Sequence, residues 1–131
     1  MSKDYGGQAY DSPFISAPIL PLQAHIDLTT LQGTDYVDEY GIVKPGTPLV
    51  YNRTAGTFTV VSGAGETAFG VVAFPEHAAN GDTTTDLQGD VMVTAFAGGT
   101  LNVALAEDQL GRSYTGNEQT ALDNAKNIVL V

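Results

Sequence analysis

The 131-residue chain contains no cysteine and no tryptophan. Without cysteine there is no disulfide framework, no thiolate zinc site and no thiol nucleophile. No apolar run approaches the roughly 18 residues of a membrane-spanning helix. The N-terminal stretch MSKDYGGQAYDS also has no apolar signal core, so we expect no secretion by that route.

Basic residues are scarce, with five Lys and Arg against fifteen Asp and Glu and a net charge of −10. None lies between Arg53 and Arg112. Because phosphate binding needs clustered cations, this charge pattern argues against nucleic acid as a partner. It argues equally against an anionic membrane surface.

Residues 41–101 alternate short β-type segments with loops of Gly, Pro, Asn, Thr and Asp, and no helical period interrupts them. Pro45 and Gly46 have the signature of a type II turn. The segment NRTAG, residues 52–56, has the length of a hairpin loop. The nearly all-apolar segment AFGVVAF, residues 68–74, predicts the most buried strand. We expect residues 101–105 to form the strand that follows the turn at Gly98.

The N-terminal forty residues have a different character. Residues 1–12 are polar and glycine-containing, which is typical of a solvated tail. Prolines at positions 13, 18 and 21 then favour extended backbone. Apolar side chains between them need a surface to cover, either on the domain or on a partner chain. The candidates for a partner-binding arm are Phe14, Ile15, Ile19, Leu20 and Leu22. We therefore divide the chain into an extended arm, residues 1–40, and a β-rich domain, residues 41–131.

The C-terminal segment predicts one short helix followed by a strand. Thr115 and Glu118 fit a capping box at the helix start, and Ala121, Leu122 and Ala125 follow at helical spacing. The last residues, IVLV, are too apolar to hang free. We expect them to dock on the sheet.

Two patterns imitate ligand sites. Gly63, Gly65 and Ala68 spell G-x-G-x-x-A, but a dinucleotide fingerprint needs a helix after the glycines, and a strand is predicted here. Asp82, Asp86 and Asp90 recur every four residues. A loop is able to gather such carboxylates around calcium, yet the spacing does not match an EF-hand, and a solvated, charge-repelling loop is favoured.

No catalytic constellation is recognisable. His25 and His77 are the only imidazoles, and neither has a partner at ligand spacing. The G-x-S-x-G, H-E-x-x-H and P-loop motifs are absent. Asn52-Arg53-Thr54 matches a glycosylation acceptor, and without a signal segment we interpret it as part of a hairpin loop. We predict that the protein is not an enzyme and needs no cofactor or metal.

The order of these segments is similar to that of a known family. It runs from an arm through GIVKPGTPLVYN, TFTVV, TAFGVVAF and DVMVTAFAGGTLN to a closing helix and strand. This order resembles the lambda-type head decoration proteins of tailed bacteriophages. The resemblance covers residues 41–131, with Gly46, Leu49, Gly70 and Gly98 as the points of alignment.

The resemblance implies a mainly β fold: a small sandwich or barrel-like domain of the β-tulip type, with one short C-terminal helix and an extended N-terminal arm. It also implies a structural virion protein. Homotrimers would bind the outside of the expanded capsid at three-fold or quasi-three-fold positions. The arm would order on the major capsid protein, and the trimers would stabilise the shell against DNA pressure.

An alternative is a β-sandwich binding module of a tail fibre or adhesin, for carbohydrate or receptor. Sugar-binding faces usually carry exposed aromatic side chains. Tryptophan is absent and the six tyrosines are spread along the chain. The sequence therefore favours the decoration protein.

Overall fold

A computed structural model of the protein describes residues 3–5, 8–15, 21–77 and 90–131. They form a mainly β protein with a closed five-stranded barrel and two short helices. In chain order the strands are β1 (Lys3–Tyr5), β2 (Gln8–Tyr10), β3 (Pro21–Asp27), β4 (Ile42–Val43), β5 (Pro48–Asn52), β6 (Thr57–Val60), β7 (Gly70–Val72), β8 (Glu76–His77), β9 (Asp90–Phe96), β10 (Gly99–Leu101) and β11 (Ile128–Leu130). The helices are α1 (Val103–Leu110) and α2 (Gly116–Asn124).

The barrel closes in the order β3-β6-β5-β7-β9, with β9 pairing back onto β3. Within the barrel only β3 and β6 run parallel, at Ile26 opposite Phe58. The longest pairing joins β3 and β9 over seven residue pairs. Both strands alternate as a half-buried strand should: Ala24 and Val93 are buried, whereas Met92 is exposed. The mainly β prediction is confirmed with a barrel at its centre, and a sandwich is not confirmed.

One local prediction in the barrel is confirmed and another holds only in part. The apolar run at residues 68–74 forms a strand over Gly70–Val72 alone, where every residue is buried, whereas Phe69 is half exposed. The predicted hairpin is present: residues 53–56 connect β5 to β6, and Asn52 pairs with Thr57. The C-terminal third of the chain packs against the barrel, and several of its buried residues belong to the same hydrophobic core as the barrel strands.

The turn at Gly46 fixes how the barrel meets α1. Gly46 has φ of +92°, which suits the second central position of a type II turn. A Cβ atom built there would lie 3.0 Å from the backbone oxygen of Ala106. The Tyr114 hydroxyl donates to the Gly46 carbonyl at 2.6 Å. Glycine is needed at this position both for its φ and for the close approach of the helix.

The helical part corrects one prediction and confirms another. Residues 103–110 form α1 rather than extending the strand, because Asn102 caps the helix start and Gly111, at φ +83°, ends it. The chain therefore has two short helices instead of one. The capping box of α2 is present as predicted, with Thr115 and Glu118 bonding each other's backbone N–H groups.

The N-terminal forty residues are not a separate arm throughout. β3 is a barrel strand, and residues 28–40 continue into the core through buried Leu31 and Tyr36. The domain therefore includes residues 21–40 as well as residues 41–131. Pro21 is compatible with β3 because it occupies the first position of the strand. Nearer the N-terminus, β1 and β2 pair as an antiparallel hairpin. The buried Tyr10 donates its hydroxyl to Asp38 at 2.7 Å.

Candidate interaction surfaces

The first candidate surface joins the two ends of the chain. Phe14 bridges Leu101 of β10 in antiparallel sense, with Ile15 N–H donating to Thr100 O at 3.0 Å. On its other side β10 pairs in parallel with β11. We call the three segments, residues 13–15, β10 and β11, the terminal sheet.

The two faces of the terminal sheet differ. On the inner face Leu101 is fully buried, and the Phe14 ring packs edge-on against Phe96 with centroids 4.9 Å apart. The register places Ile15 and Val129 on either side of Thr100, so both share the outer face. Their exposed fractions are 60% and 58%. The outer face is therefore apolar and faces solvent.

The outer edge of the terminal sheet is also open within the described ranges. β11 pairs with β10 on one side, and no other described strand pairs with it. Because alternate residues of a strand direct their backbone groups to one side, Ile128 and Leu130 present their N–H and C=O groups to that free edge. Such an edge is a template for an added strand.

The predicted arm residues are thus placed differently from one another. Phe14 packs within the chain, and Ile15 projects from the terminal sheet. Leu22 lies in β3 opposite Ala95 of β9 and packs against the core. Ile19 and Leu20 lie outside the described residues. The structure brings Ile15 together with the C-terminal strand, which the sequence did not indicate.

A second candidate surface is a cluster of aromatic rings beside the β5–β6 hairpin. Tyr51 and Phe58 are cross-strand partners with ring centroids 5.0 Å apart. Phe69 completes the cluster at 5.9 Å from Tyr51 and 5.6 Å from Phe58. We call Tyr51, Phe58 and Phe69 the aromatic patch. The hairpin predicted from sequence brings positions 51 and 58 side by side, but only the tertiary fold adds Phe69.

The aromatic patch opens onto solvent. Tyr51 and Phe69 are 41% and 50% exposed, whereas Phe58 is buried beneath them. They border a shallow hollow of about 410 Å³, whose lining includes Arg53 and contains no carboxylate. An apolar patch that stays exposed to solvent in the folded chain is typical of a site that binds another molecule.

A third feature is a buried ionic network between α2 and the loop after β3. Glu118 is 1% exposed, and Arg112 donates to its two oxygens at 2.7 and 3.1 Å. Tyr36 donates its hydroxyl to the same carboxylate. Arg112 also bonds both oxygens of Asp35, at 2.6 and 3.1 Å. No buried side-chain polar atom is unpartnered among the described residues, so the network is satisfied within the chain.

The pKa values of this network follow from its contacts. Burial alone raises the pKa of Glu118, but the hydrogen bonds from Arg112 and Tyr36 outweigh it and leave the pKa below its ordinary value. The hydrogen bond from Arg112 lowers the pKa of Asp35. Burial, followed by the bond to Glu118, raises the pKa of Tyr36. The network is therefore a charged structural link near neutral pH.

The glycine loop that imitated a dinucleotide site already binds a carboxylate from its own chain. The backbone N–H groups of Ser62 and Gly63 each donate to Glu66 Oε1 at 2.8 Å. The next element is the buried strand β7 instead of a helix. The loop lacks the helix terminus that a pyrophosphate needs, and Glu66 occupies two of its backbone N–H groups.

The other candidate ligands do not converge in the described part of the chain. Asp82 and Asp86 lie outside it, and Asp90 contacts His25, with Nδ1 and Oδ2 3.2 Å apart. His77 lies in β8 opposite Ile42. Over residues 3–5, 8–15, 21–77 and 90–131, no group of three or more His, Asp or Glu side chains has the arrangement of a metal site. In the same residues no helix has both the length and the apolarity to cross a membrane.

Comparison of the sequence with known proteins gives no matching family model and no matching curated protein.

Proposed function

We propose that the protein is a capsid decoration protein, which binds the outer surface of an expanded bacteriophage head as a homotrimer and stabilises it. The observation that carries the proposal is the terminal sheet, whose apolar outer face and open edge offer a surface to another chain. The segment order of residues 41–131, which resembles lambda-type decoration proteins, supports the same function.

The terminal sheet supplies the contact with the major capsid protein in this proposal. Ile15 and Val129 lie on either side of Thr100 on its outer face, and Val131 is 61% exposed. An extended segment of the capsid protein adding to β11 would gain backbone hydrogen bonds with Ile128 and Leu130. The exposed apolar side chains of the outer face would pack against the surface of the same capsid subunit.

Stabilisation follows from linkage. A protein that binds only the expanded, assembled shell lowers the free energy of that state by its binding free energy. Each contact needs only modest strength, because a trimer engages several neighbouring capsid subunits at once. The protein therefore acts as a clamp, and no catalytic group is required.

The test is binding of the purified protein to expanded heads that lack a decoration protein. Co-sedimentation should reach saturation at one trimer for each three-fold and quasi-three-fold position. Unexpanded heads are the control and should bind less. Absence of binding to any expanded head contradicts the proposal.

The aromatic patch favours a second candidate, a binding module of a tail fibre or adhesin. Exposed rings such as those of Tyr51 and Phe69 are able to stack on sugar faces. A glycan array separates the two functions, because a decoration protein should bind no glycan. Glycan binding that Phe69→Ala abolishes, without binding to heads, would establish the second candidate.

A further inference from the structure

A second surface, elsewhere on the chain, is complementary to the aromatic patch. Its exposed rings lie next to Arg53, an exposed cation that has no ion pair among the described residues. A surface that is apolar and carries one positive charge is complemented by one that offers an aromatic side chain and carboxylates.

Such a surface is present around a groove of about 530 Å³. Four carboxylates line this acidic groove: Asp35, Asp38, Glu39 and Asp108. Tyr40, the residue after Glu39 in the chain, is 40% exposed.

Two of the carboxylates in the groove already have bonding partners within the chain. Asp35 is paired with Arg112, and Asp38 accepts from the Tyr10 hydroxyl. Glu39 and Asp108 are exposed, with no ion pair in the described ranges. The groove therefore retains negative charge that the chain itself does not neutralise.

The aromatic patch and the acidic groove have no lining residue in common. Lys44, which lines the groove, is separated from the first residue of β5 by the turn at residues 45–47, whereas Arg53 follows the last residue of β5. Five residues of strand span about 17 Å. The two surfaces therefore do not meet within one copy of the chain, and a contact between them joins two copies.

We infer that the aromatic patch of one copy contacts the acidic groove of the next, with Tyr51 and Phe69 against Tyr40, and Arg53 against Glu39 and Asp108. The contact joins different surfaces of identical chains, and such head-to-tail contacts form a closed ring when the rotation between neighbouring copies closes. It also brings opposite charges together in a chain whose net charge of −10 otherwise makes copies repel. The inference rests on the proposed function in one respect: the number of copies in the ring, three, is taken from it.

The absence of native cysteine allows a direct test. Purified Arg53→Cys/Glu39→Cys protein is oxidised at high concentration, both in solution and on expanded heads. It should form disulfide-linked chains up to a circular trimer in at least one of the two settings. The matched control, Arg53→Cys/Glu76→Cys, moves the second thiol to exposed Glu76 of β8 and should give only background linkage. Equal linkage in both variants, or none above background in either setting, overturns the inference.

Charge reversal gives a second measurement that keeps the fold intact. Arg53→Glu should weaken self-association about tenfold or more, because like charges then face each other. Lys126→Glu makes the same change in net charge on an exposed residue that lines neither surface, so it should weaken association less. Adding Glu39→Lys to Arg53→Glu should restore association. Equal weakening by Arg53→Glu and Lys126→Glu, or no recovery in the double variant, contradicts the contact.

These results separate this inference from the proposed function. If the native protein decorates heads but positions 53 and 39 never link, the contact is wrong and the function stands. If linked rings form but no expanded head binds them, the function is wrong and the contact stands.

Discussion

Arg112 and Arg53 each lie beside a tyrosine, but in opposite circumstances. The Arg112 guanidinium lies 5.4 Å from the centre of the Tyr36 ring and bonds two carboxylates, one of them fully buried. Arg53 borders the hollow of the aromatic patch next to Tyr51 and remains exposed. The first arginine has its bonding capacity satisfied inside the fold, whereas the second retains it for another molecule. The comparison separates a cluster that stabilises the domain from one that is available for contact.

The largest expected difference between the two clusters is in stability. Arg112→Met leaves Glu118 buried without its cation and should lower the free energy of unfolding by about 3–5 kcal/mol. Arg53→Met changes an exposed side chain and should stay within about 0.5 kcal/mol of the native protein. Urea denaturation of both variants measures the difference. Similar losses in the two variants would remove the distinction.

A smaller difference is expected between the two tyrosines. Tyr36→Phe removes a hydrogen bond to the buried Glu118 carboxylate and should cost about 1–3 kcal/mol. Tyr51→Phe keeps the ring, and its hydroxyl has no hydrogen bond to another described residue, so the expected change is within about 0.5 kcal/mol. Thermal unfolding followed by circular dichroism compares them. A loss in Tyr51→Phe as large as in Tyr36→Phe contradicts the assignment.

Acid should weaken the buried network and leave the aromatic patch unaffected. The pKa of Glu118 is lower in the folded chain than its ordinary value of 4.5. The unfolded chain therefore takes up a proton first as the pH falls below about 4.5, and stability is lost until the pH passes the lowered pKa. Unfolding measured from pH 7 to pH 3 should show this loss. Glu118→Gln should reduce the slope, and an unchanged slope would contradict the role of Glu118.

Within the aromatic patch, a modest loss of stability is expected for Phe69→Ala. The ring is half exposed, so its removal should cost about 1 kcal/mol, well below the cost for a buried phenylalanine. Phe58→Ala, beneath it, should cost about 3–5 kcal/mol. Denaturation of the two variants sharpens the comparison within the aromatic patch. A Phe69 variant as unstable as the Phe58 variant would make that ring part of the core.

Much of the fold could be predicted from patterns among residues that are close in sequence. The capping box at Thr115 and Glu118, the turn at Gly46 and the burial of β7 each depend on neighbouring residues, and each is present. Helix α1 was missed although its cap at Asn102 and its end at Gly111 flank a run of good helix formers. Because the sequence predicts a strand after the turn at Gly98, a strand through residues 101–105 was the simpler prediction.

The candidate surfaces were less accessible from sequence because they depend on distant contacts. Ile15 was expected in an extended arm that covers either the domain or a partner chain. Its pairing with β10 beside the C-terminal strand joins residues more than eighty positions apart. Phe69 joins Tyr51 only through the barrel. Arg112 and Glu118 are close in sequence, but Asp35 and Tyr36 reach them only in the folded chain.

A density map of expanded heads saturated with the protein tests the central claim most directly. The account predicts a three-lobed feature at each three-fold position, with the terminal sheet facing the shell and the aromatic patch between neighbouring lobes. Bare three-fold positions at saturating protein, or bound copies whose terminal sheet faces away from the shell, would contradict it.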